Sequence, residues 1–206
     1  MNRHAMPHTL RKKLSLPLIA ASLALSACNS QPPPAPEPPL AGAQIGGDIS
    51  LVDESGKEVR FSEYDGKYRM VYFGYTFCPD ICPLDVQRMA RGYEAFKKAE
   101  PDRAAKVIPM FVSIDPDRDT AEAVAEFTDA FSTDMLGFTG SAEQIAAAAK
   151  AYSVYYTKGR ELQPGSYLMD HSRAAFLMGP KGEPIALLPV DESAEGVTEV
   201  LDQWVN

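Results

Sequence analysis

The chain has 206 residues, 45% of them hydrophobic and 23% charged. That is enough apolar material for one domain with a real core, and it excludes disordered and fibrous classes. A formal charge of −8 repels phosphate backbones and argues against a nucleic-acid partner, while it attracts cations or a basic protein face and equally serves solubility.

Arg3, Arg11, Lys12 and Lys13 precede an apolar run, LSLPLIAASLAL at residues 14–25. The pattern reads as an export leader, because a run this short falls below the ~20 residues a membrane-spanning helix needs. Leu25-Ser26-Ala27-Cys28 resembles the lipobox of bacterial lipoproteins. That resemblance implies cleavage of residues 1–27 and a lipid on Cys28; a plain secretory leader is the alternative, and both lead to export. Without its leader the chain carries −12. In residues 29–44, six of sixteen are proline, so residues 28–44 read as a lipidated cysteine on an extended tether, reaching at most about 50 Å at ~3.1 Å per residue. The folded domain is expected over residues 45–206.

Within it, residues 48–53 and 57–61 predict a hairpin around Glu54-Ser55-Gly56, and YRMVYFGY (68–75) a buried strand. Pro83 suits the first position of a helix whose apolar residues Leu84, Met89, Tyr93 and Phe96 follow at helical spacing, with Pro101 as its stop. KVIPMFVSI (106–114) predicts the next core strand. Asp119 with Glu122, and Ser141 with Gln144, resemble capping boxes that open helices over 120–131 and 142–152. AAFLM and PIALLPV, joined by GPKGE, predict a second hairpin, and a last helix spans 193–205. Strand, helix, strand, then hairpin and helix, is the order of an α/β thioredoxin-like fold: a central mixed β-sheet flanked by helices, here with an N-terminal β-hairpin.

Cys78 and Cys82 lie between the first core strand and its helix, as in thioredoxin-type enzymes, but with three residues between them in place of two. Both sulfurs then converge near the positive end of the helix, which favours thiolates. Paired thiolates serve disulfide exchange or soft-metal binding, and the cysteines alone do not choose. His171 is the only histidine after the leader. It precedes the late strand, where redox thioredoxins carry a cis-proline; no proline stands between Pro164 and Pro180 here. A histidine at that place faces the cysteine pair and completes a Cys, Cys, His set. Three such donors suit Cu(I), and Cu(II) with an added water or carboxylate; zinc asks for a fourth ligand, from Asp80 or Asp170. A surface histidine beside a structural disulfide is the plain alternative.

Other features carry less. SIDPDRDT (113–120) has three aspartates in five positions but lacks the glycine and final glutamate of an EF-hand loop, so strand exit and helix capping explain it better. Tyr152, Tyr155 and Tyr156 are candidates for a half-exposed partner surface.

YFGYTFCPDICPLD (72–85), SIDPDRDT, GFTGS (137–141) and the distant DHS of 170–172 together are similar to the Sco/SenC family of copper proteins, and the combination of CPDICP with DHS is the specific part. The resemblance implies Cys78, Cys82 and His171 as ligands of one copper ion, Cu(I) or Cu(II). It implies an anchored protein facing an exported compartment such as the periplasm, and a role in assembling the dinuclear copper centre of cytochrome c oxidase. The expected partners are the copper-receiving oxidase subunit, another periplasmic copper chaperone or thiol reductant, and the membrane through the lipid on Cys28; no nucleic acid is expected. A thiol-disulfide oxidoreductase using Cys78 and Cys82 without metal is the rival reading. A peroxide-reducing relative ranks last, since no arginine neighbours the cysteines in sequence.

Overall fold

The computed structural model describes Met1, residues 36–161, Gln163 and residues 166–206. The expected leader, its cleavage site and Cys28 lie outside the described residues. Residues Pro36–Asn206 form one compact unit. Leu40, within the stretch read as a tether, donates its N–H to the Ile185 carbonyl at 3.0 Å and packs on the core.

The first hairpin pairs β1 (Ser50–Asp53) with β2 (Glu58–Arg60). Its turn closes because the Asp53 carboxylate accepts from the N–H groups of Ser55 and Lys57, while Gly56 takes the left-handed φ of 81°. β3 (Tyr68–Gly74) is buried along its whole length, as a mostly apolar run covered on both faces requires, with Arg69 buried in it and donating to the Phe61 and Gly179 carbonyls. It pairs in parallel with β4 (Val107–Ser113), which pairs in parallel with β5 (Leu136–Thr139). The late hairpin, β8 (Ala175–Met178) and β9 (Pro184–Leu188), joins β3 on its other side, antiparallel. The seven-stranded mixed sheet has the order β2-β1-β5-β4-β3-β8-β9.

Alternation along β3 sends neighbouring rings to opposite faces. On one face Tyr72 meets Phe111, which meets Phe127 of α3 (Ala121–Asp129). On the other, Phe73 packs against Tyr152, at the end of α4 (Ala142–Ala151), and Tyr152 against Phe176. α1 (Ile81–Ala99) and α5 (Ala194–Trp204) pack together closely enough that a β-carbon on Gly92 would stand 2.7 Å from the Ala194 carbonyl. Helices on both faces of a mixed sheet, with the expected hairpin at its N-terminal edge, make the fold thioredoxin-like.

Four local expectations are corrected. α1 starts at Ile81, not at Pro83, so Pro83 occupies its third position and Cys82 its second. Proline fits there because first-turn N–H groups have no partner inside the helix. The cap of α3 is Thr120, whose hydroxyl accepts from the Ala123 N–H; Asp119 is instead buried and accepts from Thr76 and Ser113. The Ser141 and Gln144 capping box is present as expected. Residues 137–139 of the quoted GFTGS turn belong to β5. Tyr152 is core, whereas Tyr155 is 63% exposed. Pro101 ends α1 but opens a single further turn, α2 (Pro101–Ala104).

The sequence patterns did not reveal a second sheet. β6 (Tyr156–Lys158) and β7 (Met169–His171) form a separate antiparallel ribbon. At three residues each, these strands are too short to show a period.

Candidate metal centre

β3 ends at Gly74, where a β-carbon would lie 2.9 Å from Tyr72, 3.0 Å from Phe111 and 3.3 Å from the Cys82 sulfur. A glycine is therefore needed for the sulfur to sit against the strand end. The following loop carries Cys78, and Asp80 occupies the N-cap position of α1 without a side-chain cap bond. The Cys78 sulfur does that work instead: the Cys82 N–H donates to it at 3.3 Å. A helix start presents unpaired N–H groups and positive potential, so it favours an anion there.

The two thiols separate accordingly. Hydrogen bonding from the Cys82 thiol holds the Cys78 thiol well below the usual range, helped by the N–H groups of Cys82 and Asp80 and opposed by burial. The same hydrogen bond, together with burial, pushes the Cys82 thiol up. Cys82 is fully buried, while Cys78 is partly exposed. Both cysteines are free.

His171 comes from the end of β7, paired opposite Tyr156. Its Nε2 stands 3.2 Å from the Cys82 sulfur, and its Nδ1 stands 2.8 Å from the Ser172 carbonyl oxygen. A carbonyl only accepts, so Nδ1 carries the hydrogen and Nε2 turns its lone pair toward the sulfurs. This is the arrangement of a metal-ligating histidine with its other nitrogen anchored. Tyr75 and Tyr72 meet the imidazole edge-on at ring separations of 6.0 and 6.4 Å. Burial and the Cys78 sulfur push the Tyr75 phenol up to about 12.

Two buried ionic groups brace this trio. Asp85, fully buried one turn after Cys82, accepts from the Tyr72 hydroxyl at 3.1 Å and from two nitrogens of Arg173 at 3.0 and 2.7 Å. Asp115 accepts from Arg118 and, at 2.6 Å, from the Tyr167 hydroxyl; the Arg118 guanidinium also lies over the rings of Tyr167 and Phe77. An arginine thus does approach the cysteine loop, bringing SIDPDRDT to its flank, but Asp115 holds it. Asp119 secures the same loop through Thr76.

The donor set fits a soft ion: two sulfurs and an unprotonated imidazole nitrogen, with one sulfur predisposed to the thiolate. The trio is held by hydrogen bonds and is not spread as a finished cage; among the described residues no group of three or more His, Cys, Asp or Glu has that spacing. The 3.2 Å sulfur–nitrogen contact is only slightly shorter than the roughly 3.5 Å that bonds of about 2.0–2.3 Å to a shared ion would set. Asp170 is exposed and alternates with His171 along β7, so it points away from the sulfurs. It does not supply the fourth ligand that zinc would ask for.

Comparison with known proteins decides the family. The model of the SCO1/SenC family matches residues 37–206. The chain belongs to the SCO1/SenC family. Among its SCO1/SenC relatives, Protein SCO1 homolog 1, mitochondrial, of Arabidopsis thaliana is 38% identical over 173 residues, covering 82% of this chain and 51% of the relative. Protein SenC of Rhodobacter capsulatus is 43% identical over 141 residues, covering 68% of this chain and 62% of the relative. These matches thus span about half to three-fifths of the relatives' own length. Arabidopsis thaliana ScoI, solved with copper bound, superposes with a TM-score of 0.71 at 36% identity over 77% of this chain and 97% of that one. No helix among the described residues is long and apolar enough to cross a membrane.

Proposed function

We propose that this SCO1/SenC chain is an exported, membrane-anchored copper chaperone. It takes up one copper ion on Cys78, Cys82 and His171 and passes it to the copper-receiving subunit of cytochrome c oxidase while the dinuclear copper centre is assembled. The observation that carries the reading is the 3.2 Å contact between Cys82 Sγ and His171 Nε2, which joins residues far apart in sequence beside a second, partly exposed sulfur. The copper bound to ScoI of Arabidopsis thaliana supports the choice of metal. In this reading residues 1–27 are the leader, Cys28 bears the lipid, the part of the 28–44 stretch ahead of the compact unit carries the domain off the membrane, and that unit, Pro36–Asn206, holds the ion.

Copper is cargo here, so the residues must both hold and release it. The Nδ1–H bond to Ser172 orients the imidazole, Cys78 is predisposed to bind as the thiolate, and its partial exposure admits an incoming ligand. Anaerobic titration of the reduced protein with copper tests the reading: one equivalent is expected, with thiolate-to-Cu(II) charge-transfer absorption on the oxidised metal. His171→Ala binding copper as tightly and at the same stoichiometry as wild type would overturn it.

The thiol asymmetry favours a second reading. Cys78, held toward the thiolate beside a protonated Cys82, resembles an attacking and a resolving pair. Attack on a partner's disulfide would release one partner thiolate and form a mixed disulfide. Cys82 would then displace the second, leaving a Cys78–Cys82 disulfide and a partner reduced by two electrons. Disulfide-substrate turnover by His171→Ala at the wild-type rate, with no copper retained by the native protein, is the result expected of this reading.

A further inference from the structure

Asp85 is a buried acidic side chain that touches both Tyr72, beside the trio, and Arg173, two residues after His171, and the copper reading gives it no role. It is fully buried on α1, three positions after Cys82. Its Oδ2 accepts from the Tyr72 hydroxyl at 3.1 Å, and the Tyr72 ring and the Cys82 sulfur close on the same spot above Gly74, 2.9 and 3.3 Å from where a β-carbon there would lie. Tyr72 further presents its ring edge-on to the His171 imidazole. From the other side, Arg173 grips both carboxylate oxygens through Nε and Nη2 at 3.0 and 2.7 Å. Arg173 follows His171 by two residues, beyond the Ser172 whose carbonyl fixes the imidazole tautomer.

The chain between β7 and β8 is otherwise held lightly here. His171 closes a ribbon of three residue pairs that is not part of the main sheet. Apart from its carbonyl bond to His171, Ser172 binds back to Tyr155, through its N–H at 2.9 Å and its hydroxyl at 3.1 Å, and Tyr155 lies just before the same ribbon. Beside the His171–Cys82 contact itself, the fork of Arg173 on Asp85 is therefore a polar tie from this segment to the helix that carries Cys82. A planar guanidinium on a carboxylate fixes direction as well as distance, which a single hydrogen bond does not.

We infer that Asp85 is a positioning residue for the site: through Arg173 it clasps the His171 segment onto α1, the helix that carries Cys82, and through Tyr72 it fixes the ring that packs beside both the imidazole and the buried sulfur, so that it sets the separation of the two. The inference rests on the copper reading of Cys78, Cys82 and His171 and adds to it the group that holds the third ligand in place. Partners that orient metal-ligating histidines carry about 10–100-fold in affinity when removed.

Four proteins test it: wild type, Asp85→Asn, His171→Ala and the double variant, each titrated with Cu(I) against a chromophoric chelator and examined as the Cu(II) form by EPR. Asp85→Asn is expected to weaken copper about tenfold and to change the EPR spectrum in the direction of His171→Ala. In the His171→Ala background the same change is expected to add almost nothing, because the ligand it positions is gone. Amide exchange of Ser172 in the copper-free protein is expected to rise in Asp85→Asn. Should Asp85→Asn fail to fold, Arg173→Gln carries the same expectation from a half-exposed side chain, and Arg173→Lys is expected to recover only part of the loss. A folded Asp85→Asn or Arg173→Gln with wild-type affinity and spectrum overturns the inference and leaves the copper reading standing. So does a loss of equal size in the His171→Ala background. If His171→Ala alone has no effect, the copper reading falls and this inference falls with it.

Discussion

The guanidinium of Arg118 lies 3.6 Å from the centre of the Tyr167 ring, and the hydroxyl of that same tyrosine donates to Asp115, the carboxylate that Arg118 grips. Three side chains so close a triangle that ties the end of β4 to the approach of β7. Asp115 is 2% exposed, so a partner removed leaves a buried charge without its match. Arg118→Ala is expected to cost about 3–5 kcal/mol and Tyr167→Phe about 1.5–3 kcal/mol, measured by urea unfolding.

Gly74→Ala places a methyl group against Tyr72, Phe111 and Cys82, all buried and none able to retreat into solvent. Overpacking of this kind costs about 1–3 kcal/mol. Thermal unfolding is expected to show that loss, and a copper titration a weaker site, since the displaced atoms include the Cys82 sulfur of the proposed site.

Alkylation by iodoacetamide is expected to distinguish the thiols. Cys78 has its pKa lowered, chiefly by the Cys82 thiol, so its thiolate persists as pH falls from 8 to 5.5 and its rate changes little. An ordinary cysteine would slow by more than about a hundredfold over that range. Cys82, raised and buried, is expected to react only after unfolding. Peptide mapping of the alkylated protein at both pH values gives the answer; equal labelling of the two at pH 5.5 contradicts it.

Ser141→Ala provides a control. It removes the hydroxyl that accepts from the Gln144 N–H at the start of α4, which costs about 0.5–2 kcal/mol. α4 contributes nothing to the trio, so copper stoichiometry and affinity are expected to stay at wild-type values while the midpoint of unfolding falls.

What could be read in the sequence follows the physics of each signal. β3 and β4 are buried on both faces and announce themselves as long apolar runs, and the Ser141 box is a local hydrogen-bond pattern, so these were legible. The start of α1 was misplaced because Pro83 is equally at home at the first and third helical positions, and only the unbonded Asp80 and the sulfur taking its place show which. The trio itself was reachable, since His171 was the one histidine left after the leader and stood at a place the fold brings to the cysteines. Asp85, Asp115 and Arg118 were not: a buried ion pair has no sequence period, and an aspartate on a helix reads as solvated until its partner, some 88 residues away for Arg173, is known. The β6–β7 ribbon escaped for want of length.

The unequal depth of the two sulfurs has a consequence for traffic through the site. Cys82 lies beneath the surface against Gly74, and Cys78 stands at the rim with His171. Anything arriving from outside can reach the rim positions first and the deep sulfur last. Under the proposed chaperone role, exchange would follow a sequence: the outer bonds would be swapped while the inner one still holds, so that a copper ion in passage would stay attached to one protein or the other throughout.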